Sequence, residues 1–276
     1  MNLLDDIIIY ITSFLNTNDS INFLSISRDL HLLKDKIYYN KPVYSHIIHK
    51  LWYYDRFTNI MVIDTGIKLP KFINTLEFDM CFDNQDIKDF IPESVKYLTF
   101  GERFNQNIKG CIPNSVTTSL THLTFGHYFN QDIKDCIPNS VTHLTFGKHF
   151  NRPIIDCIPN SVTHLIFGDN FNQNIRGYIP NSVTYLKFGW CFNQDIDEYG
   201  SIPDSVTHLI FDSFCTHNYK NKILELVKYL KSIESLQLHF SYHSFSEEIT
   251  SHLPEFKCVV RDQLFISFER ITNFNF

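Results

Sequence analysis

Residues 137–178 read IPNSVTHLTFGKHFNRPIIDC from Ile137 to Cys157 and then, without a break, IPNSVTHLIFGDNFNQNIRGY from Ile158 to Tyr178. These are two near-copies of one 21-residue unit. The same unit is marked elsewhere by Ile-Pro pairs, with prolines at Pro92, Pro113, Pro138, Pro159, Pro180 and Pro203, at intervals of 21, 25, 21, 21 and 23 residues. Leu69-Pro70 starts a weaker copy. A fixed period of this length is the signature of a stacked-repeat architecture.

Within a unit, Val141, Leu144 and Phe146 are apolar, and Leu144 and Phe146 alternate with Thr145, as in a strand with one buried face. Gly147 ends the segment, and we ascribe it to backbone freedom. Phe150 and Ile154 turn inward again, and Ile158-Pro159 opens the next coil, since proline suits the start of a strand rather than its middle. A coil this short holds one strand and extended or single-turn 3₁₀ structure. It cannot bury its apolar edge alone, so the coils must stack and share ladders of Phe, Ile and Leu. The expected fold class is α+β: a leucine-rich-repeat-like solenoid with one short strand per 21–25-residue coil, over residues 70–212. A small helical domain precedes it and an irregular α/β cap over 213–276 closes it.

The Val-x-x-Leu-x-Phe pattern resembles the strand of leucine-rich repeats. Asn151, however, comes five residues after Phe146 rather than three, which argues against their usual Asn ladder. FGxxFNxxI followed by IPxSV, as in Phe100 to Ile108 with Ile112 to Val116, is more similar to the FNIP repeats of amoebae and the large viruses that infect them. Thr117 to Leu120 duplicate part of a strand, so a bulged or extended strand is expected there.

Residues 1–45 follow another rule. Leu4, Ile8, Ile11 and Leu15 lie at helical spacing, and Ile7 and Phe14 widen the stripe. Asn16 to Asn18 break this helix, and Asn18 or Asp19 would cap a second one carrying Ile21, Leu24 and Ile26. Leu3, Asp6, Ile7, Ile11, Phe14 and Leu15, followed by Asp19, Leu24, Ile26, Ser27 and Arg28, resemble an F-box. That resemblance implies docking on the Skp1 subunit of cullin-based ubiquitin ligases through Leu4, Ile7, Ile8, Ile11, Phe14 and Leu15. The alternative from spacing alone is a helical cap over the first coil. From His31 the chain reads as helical to Asn40, and residues 46–69 as a helical linker. Towards the other end, helices are expected over 221–231 and 246–253, and strands around Ile233 to Leu238 and Lys257 to Val260.

A column of Tyr97, His122, His143, His164, Tyr185 and His208 should line the solvent side of the sheet, because adjacent strands lie about 4.8 Å apart. It is either a target-binding face or a set of ordinary cross-strand pairs. Trp190, in a variable turn, is a candidate anchor for the same partner. A flat ladder spaces its imidazoles too widely for one zinc ion, so no metal is expected. Cys111, Cys136 and Cys157 read as buried inert thiols.

There is no phosphate loop, HExxH or nucleophile elbow. No cofactor and no catalytic residue are expected, and the chain does not read as an enzyme. A net charge of −6 argues against nucleic acid as partner. No apolar run reaches membrane-spanning length. Seven cysteines and no export signal point to a reducing, cytoplasmic setting, that of a host if the source is viral. The sequence thus predicts a ubiquitin-ligase adaptor, binding a Skp1-like protein at its head and an unknown target protein on the solenoid. The alternative is a scaffold or decoy whose head is only a cap.

Overall fold

The computed structural model describes residues 3–83, 85–112, 119–194, 196, 201–212, 232–239, 256–261 and 265–271. Among the described residues, four short helices lie in the first fifth of the chain: α1 (Leu3–Thr12), α2 (Thr17–Phe23), α3 (Arg28–His31) and α4 (Ser45–Ile48). The rest of the described residues are organised by one twelve-stranded sheet. Its strands are β1 (Val43–Tyr44), β2 (Asn59–Val62), β3 (Thr75–Phe78), β4 (Tyr97–Thr99), β5 (His122–Thr124), β6 (His143–Thr145), β7 (His164–Ile166), β8 (Tyr185–Phe188), β9 (His208–Phe211), β10 (Ser235–His239), β11 (Phe256–Arg261) and β12 (Phe265–Arg270). From β1 to β10 every neighbour is parallel and in chain order, so each strand belongs to one turn of a solenoid.

Register is held by side chains that repeat at the same place in each coil. Leu98, Leu123, Leu144, Leu165 and Leu186 are paired strand to strand and buried. Behind them run two columns of phenylalanine. Phe78, Phe100, Phe125, Phe146, Phe167, Phe188 and Phe211 stack with ring centroids 5.3–5.7 Å apart. Phe104, Phe129, Phe150, Phe171 and Phe192 form the second column at 6.1–6.3 Å. Burying one such side chain contributes about 1.5–3 kcal/mol, so the columns dominate the stability of the array.

Polar ladders tie the turns. A serine hydroxyl in each coil donates to a carbonyl of the coil before: Ser140 to Leu120, Ser161 to Val141, Ser182 to Val162 and Ser205 to Val183. An asparagine ladder is also present, contrary to what the offset of Asn151 implied. The backbone N–H of Asn130, Asn151, Asn172 and Asn193 donates to the side-chain oxygen of Asn105, Asn130, Asn151 and Asn172 at 2.9–3.0 Å. The ladder follows the second phenylalanine column, not the strand, which is why spacing measured from the strand missed it.

The glycine that ends each strand serves close approach rather than unusual dihedrals. A Cβ on Gly126, Gly147, Gly168 or Gly189 would stand 1.9–2.3 Å from the carbonyl oxygen of the preceding coil's glycine. Left-handed backbone occurs one residue before the Cys column instead, at Asp89, Gly110, Asp135, Asp156 and Gly177.

Most of the four extra residues near Val116 lie outside the described residues, and the strand that follows them keeps the length of its neighbours. β5 has three residues and pairs in register on both sides. Ser119 and Leu120 take the places that Ser140 and Val141 hold in the next coil, with the Ser119 hydroxyl on the Val95 carbonyl and Leu120 fully buried.

At the N-terminal end the sheet begins earlier than the repeat. The stretch expected to be a helical linker, 46–69, carries the end of α4, a single 3₁₀ turn (Tyr54–Arg56) and strand β2. Likewise, α3 ends at His31 and only a 3₁₀ turn at Lys34–Lys36 follows, not a helix to Asn40. Asn16, rather than Asn18 or Asp19, caps α2, its side chain accepting from the Asp19 N–H at 3.0 Å. At the other end, β10 and β11 match the two expected strands. β12, which the sequence did not predict, runs antiparallel between them. The helices expected over 221–231 and 246–253 lie outside the described residues.

Two glycine substitutions separate the roles described above. Gly147→Ala forces backbone apart and should lower stability by about 3 kcal/mol or more. Gly110→Ala meets open space and only strains a positive φ, for about 1 kcal/mol. Urea unfolding midpoints of the two variants measure the difference.

Candidate functional site

The outward face of the sheet carries a continuous row of rings. Tyr97, His122, His143, His164, Tyr185 and His208 occupy equivalent positions on β4 to β9 and pair directly across the strands. Centroid separations along the row are 4.5, 4.1, 4.1, 5.4 and 6.2 Å. The three central histidines are the tightest part, their rings tilted from parallel by only 11° and 16°. The structure thus brings together the whole column expected from the sequence.

A feature the sequence reading missed fixes these rings. Thr121, Thr142, Thr163 and Thr207 each place Oγ1 2.9 Å from Nδ1 of the histidine that follows. The same hydroxyls donate to carbonyls of the coil before, at 3.2–3.3 Å. Each hydroxyl thereby ties the Nδ1 edge of its ring to the coil before, and the opposite, Nε2 edge faces away from that anchor. The signal was legible as the repeated Thr-His dipeptide.

The stack depresses proton affinity. Burial, followed by the charge of His164, lowers the pKa of His122. Burial and then His122 do so for His143, and burial and then His143 and His208 for His164. Among the described residues no carboxylate acts on any of the three. Stacked rings direct their Nε2 atoms alongside one another rather than towards a common point. Among the described residues no group of three or more His, Cys, Asp or Glu is placed to hold a metal.

Trp190 lies in the turn beyond β8 and is half exposed, past the strand end rather than on the row. Its neighbours along that turn column are His127, Lys148 and Asp169. Lys148 and Asp169 approach to 3.8 Å, and nearby Tyr128 stacks on His149 at 4.9 Å. Cys136 and Cys157 are buried, and burial pushes the Cys157 thiol up to about 11. Cys111 is partly exposed, its pKa also raised mainly by burial.

The second group lies on α1 and the turn that follows it. Ile7, Ile11, Phe14 and Leu15 are exposed and Ile8 is half-buried, while Leu4 sits in the first turn of the same helix. Tyr10, absent from the expected set, joins them. It is 66% exposed and meets Phe14, 72% exposed, edge to face at 5.0 Å. α2 faces the other way: Ser20 donates to the Thr12 carbonyl and Ile21 packs on the solenoid core. No helix among the described residues is long and apolar enough to cross a membrane.

The FNIP Repeat family profile matches residues 66–103, 82–118, 104–149, 150–191 and 171–214. The chain belongs to the FNIP repeat family. It is 37% identical over 128 residues to FNIP repeat-containing protein R636 of Acanthamoeba polyphaga mimivirus, a match covering 41% of this chain and 32% of that protein. Among solved structures it resembles the crystal structure of CroV588, a novel circular LRR protein, with 33% identity and a TM-score of 0.52. That likeness covers 73% of this chain and 32% of CroV588. The FNIP chain thus spans about a third of the length of each relative.

The histidine row gives the FNIP solenoid a pH-dependent stability. Its rings bind protons less tightly when folded, so below about pH 6.5 the unfolded chain takes up more protons than the folded one. Stability is therefore intact above that pH and falls as the solution is acidified through the folded values. Melting temperatures followed from neutral to mildly acidic pH should show this decline, and His143→Gln should make it shallower.

Proposed function

We propose that this FNIP-repeat protein is a substrate-recognition adaptor. The exposed face of α1 would bind a Skp1-like protein, and the ring row on the sheet would bind a target protein. Catalysis would belong to the partners, and the adaptor would act by holding target lysines near the ligase, raising their effective concentration. Such an adaptor would work in the cytoplasm, that of the host if a virus encodes it.

The observation that supports this reading is the division of labour between α1 and α2. α2 gives its buried side to the rest of the chain, while α1 and the turn after it leave Ile7, Tyr10, Ile11, Phe14 and Leu15 exposed. An apolar stripe of this kind favours association with another protein. The second reading, a scaffold or decoy with a helical cap, draws support from Ile21 of α2, which packs on the core.

A double substitution separates the two. In Ile11→Asp/Leu15→Asp, binding of purified chain to Skp1 in calorimetry should be lost while the melting temperature stays within about 2 °C. A drop in melting temperature large enough to unfold the solenoid, with no Skp1 binding by the unmodified chain, would instead support the cap.

A further inference from the structure

Three imidazoles stack at 4.1 Å, and among the described residues no carboxylate acts on them. Their Nδ1 atoms are committed to Thr121, Thr142 and Thr163, so the Nε2 edge is what the row offers a partner. The surrounding groups are few. On the N-terminal side stand Tyr97 and the exposed Lys96 of the β4 coil; Glu77 of β3 lies one strand further off, opposite Thr99. On the C-terminal side are Tyr185 and Lys187 of β8, then His208 of β9. Asp212, just after β9, is engaged by Lys187 at 2.5 Å. The outward positions next along β5, β6 and β7 are Thr124, Thr145 and Ile166, none of them charged.

We propose that the His122–His143–His164 row is a proton-gated docking site for a carboxylate-rich peptide segment of a partner protein. The inference rests on the reading of this sheet face as the target-binding surface. When neutral, the rings carry no charge to draw a carboxylate. When protonated, each presents a cationic Nε2–H, and the three charges lie side by side with no carboxylate among the described residues acting on them. An acidic segment laid across the strands supplies those anions through charge-assisted hydrogen bonds. Binding and protonation therefore assist one another.

The test uses the full chain and a fluorescein-labelled hexa-aspartate peptide, read by anisotropy at about pH 7.5 and about pH 5.5, on either side of the ordinary imidazole value. Circular dichroism at both values checks that the fold is kept. Affinity should rise about tenfold or more on acidification, with net proton uptake in calorimetry across buffers of different ionisation heat. The variant His122→Gln/His143→Gln/His164→Gln should lose the rise. If that variant does not fold, His143→Gln alone should lose part of it.

Affinity independent of pH, or an equal rise in the histidine-free row, would overturn the proposal. A hexa-lysine peptide that binds at neutral pH, and is released by the triple variant, would also overturn it while keeping the row as an interaction face. If the row substitutions alter binding of neither peptide at either pH, the target-binding reading of the sheet falls with it.

Discussion

The distance between one coil and the next is set where glycine meets glycine. At Gly126, Gly147, Gly168 and Gly189 the backbones approach so closely that a single methyl group would overlap the preceding carbonyl oxygen. That approach lets strands of only three or four residues keep their hydrogen bonds in register. It also brings the phenylalanine columns to stacking distance and aligns the serine, threonine and asparagine ladders. Had the coils been wider apart by one Cβ, none of these contacts could form. The outward consequence is the tight imidazole stack, which exists because the inward side permits no looser spacing.

Much of this could be read from the sequence because the repeat states each rule several times. The buried column of Leu, the phenylalanines and the parallel strand in each coil followed from one 21-residue unit. So did the exposed row of Tyr97 to His208. What escaped were relations between coils that no single unit displays. The role of Gly147 depends on Gly126 of the coil before it, and the bond from Asn151 runs to Asn130. Both look like local turn chemistry until neighbours are stacked.

The ends were harder for a different reason. Away from the repeat, short segments are decided by what they pack against. Asn59–Val62 adds to the sheet because β3 offers it an edge. β12 reverses direction, so it is not another copy of the unit. On α1, helical spacing located the apolar stripe but not which side would be covered. Tyr10 was overlooked because a tyrosine among isoleucines does not stand out by period.

Because each coil touches only its two neighbours, the array is modular in a literal sense. The segment 158–178 begins and ends at the same point of the unit, so its removal would join Phe146 to Phe188, His143 to Tyr185 and Ser140 to Ser182 without disturbing any ladder. Copy number can drift through recombination between near-identical segments while the joints stay the same. A lineage could thereby lengthen or shorten the row of rings, and with it the reach of whatever lies upon it, in whole steps and with the fold kept throughout.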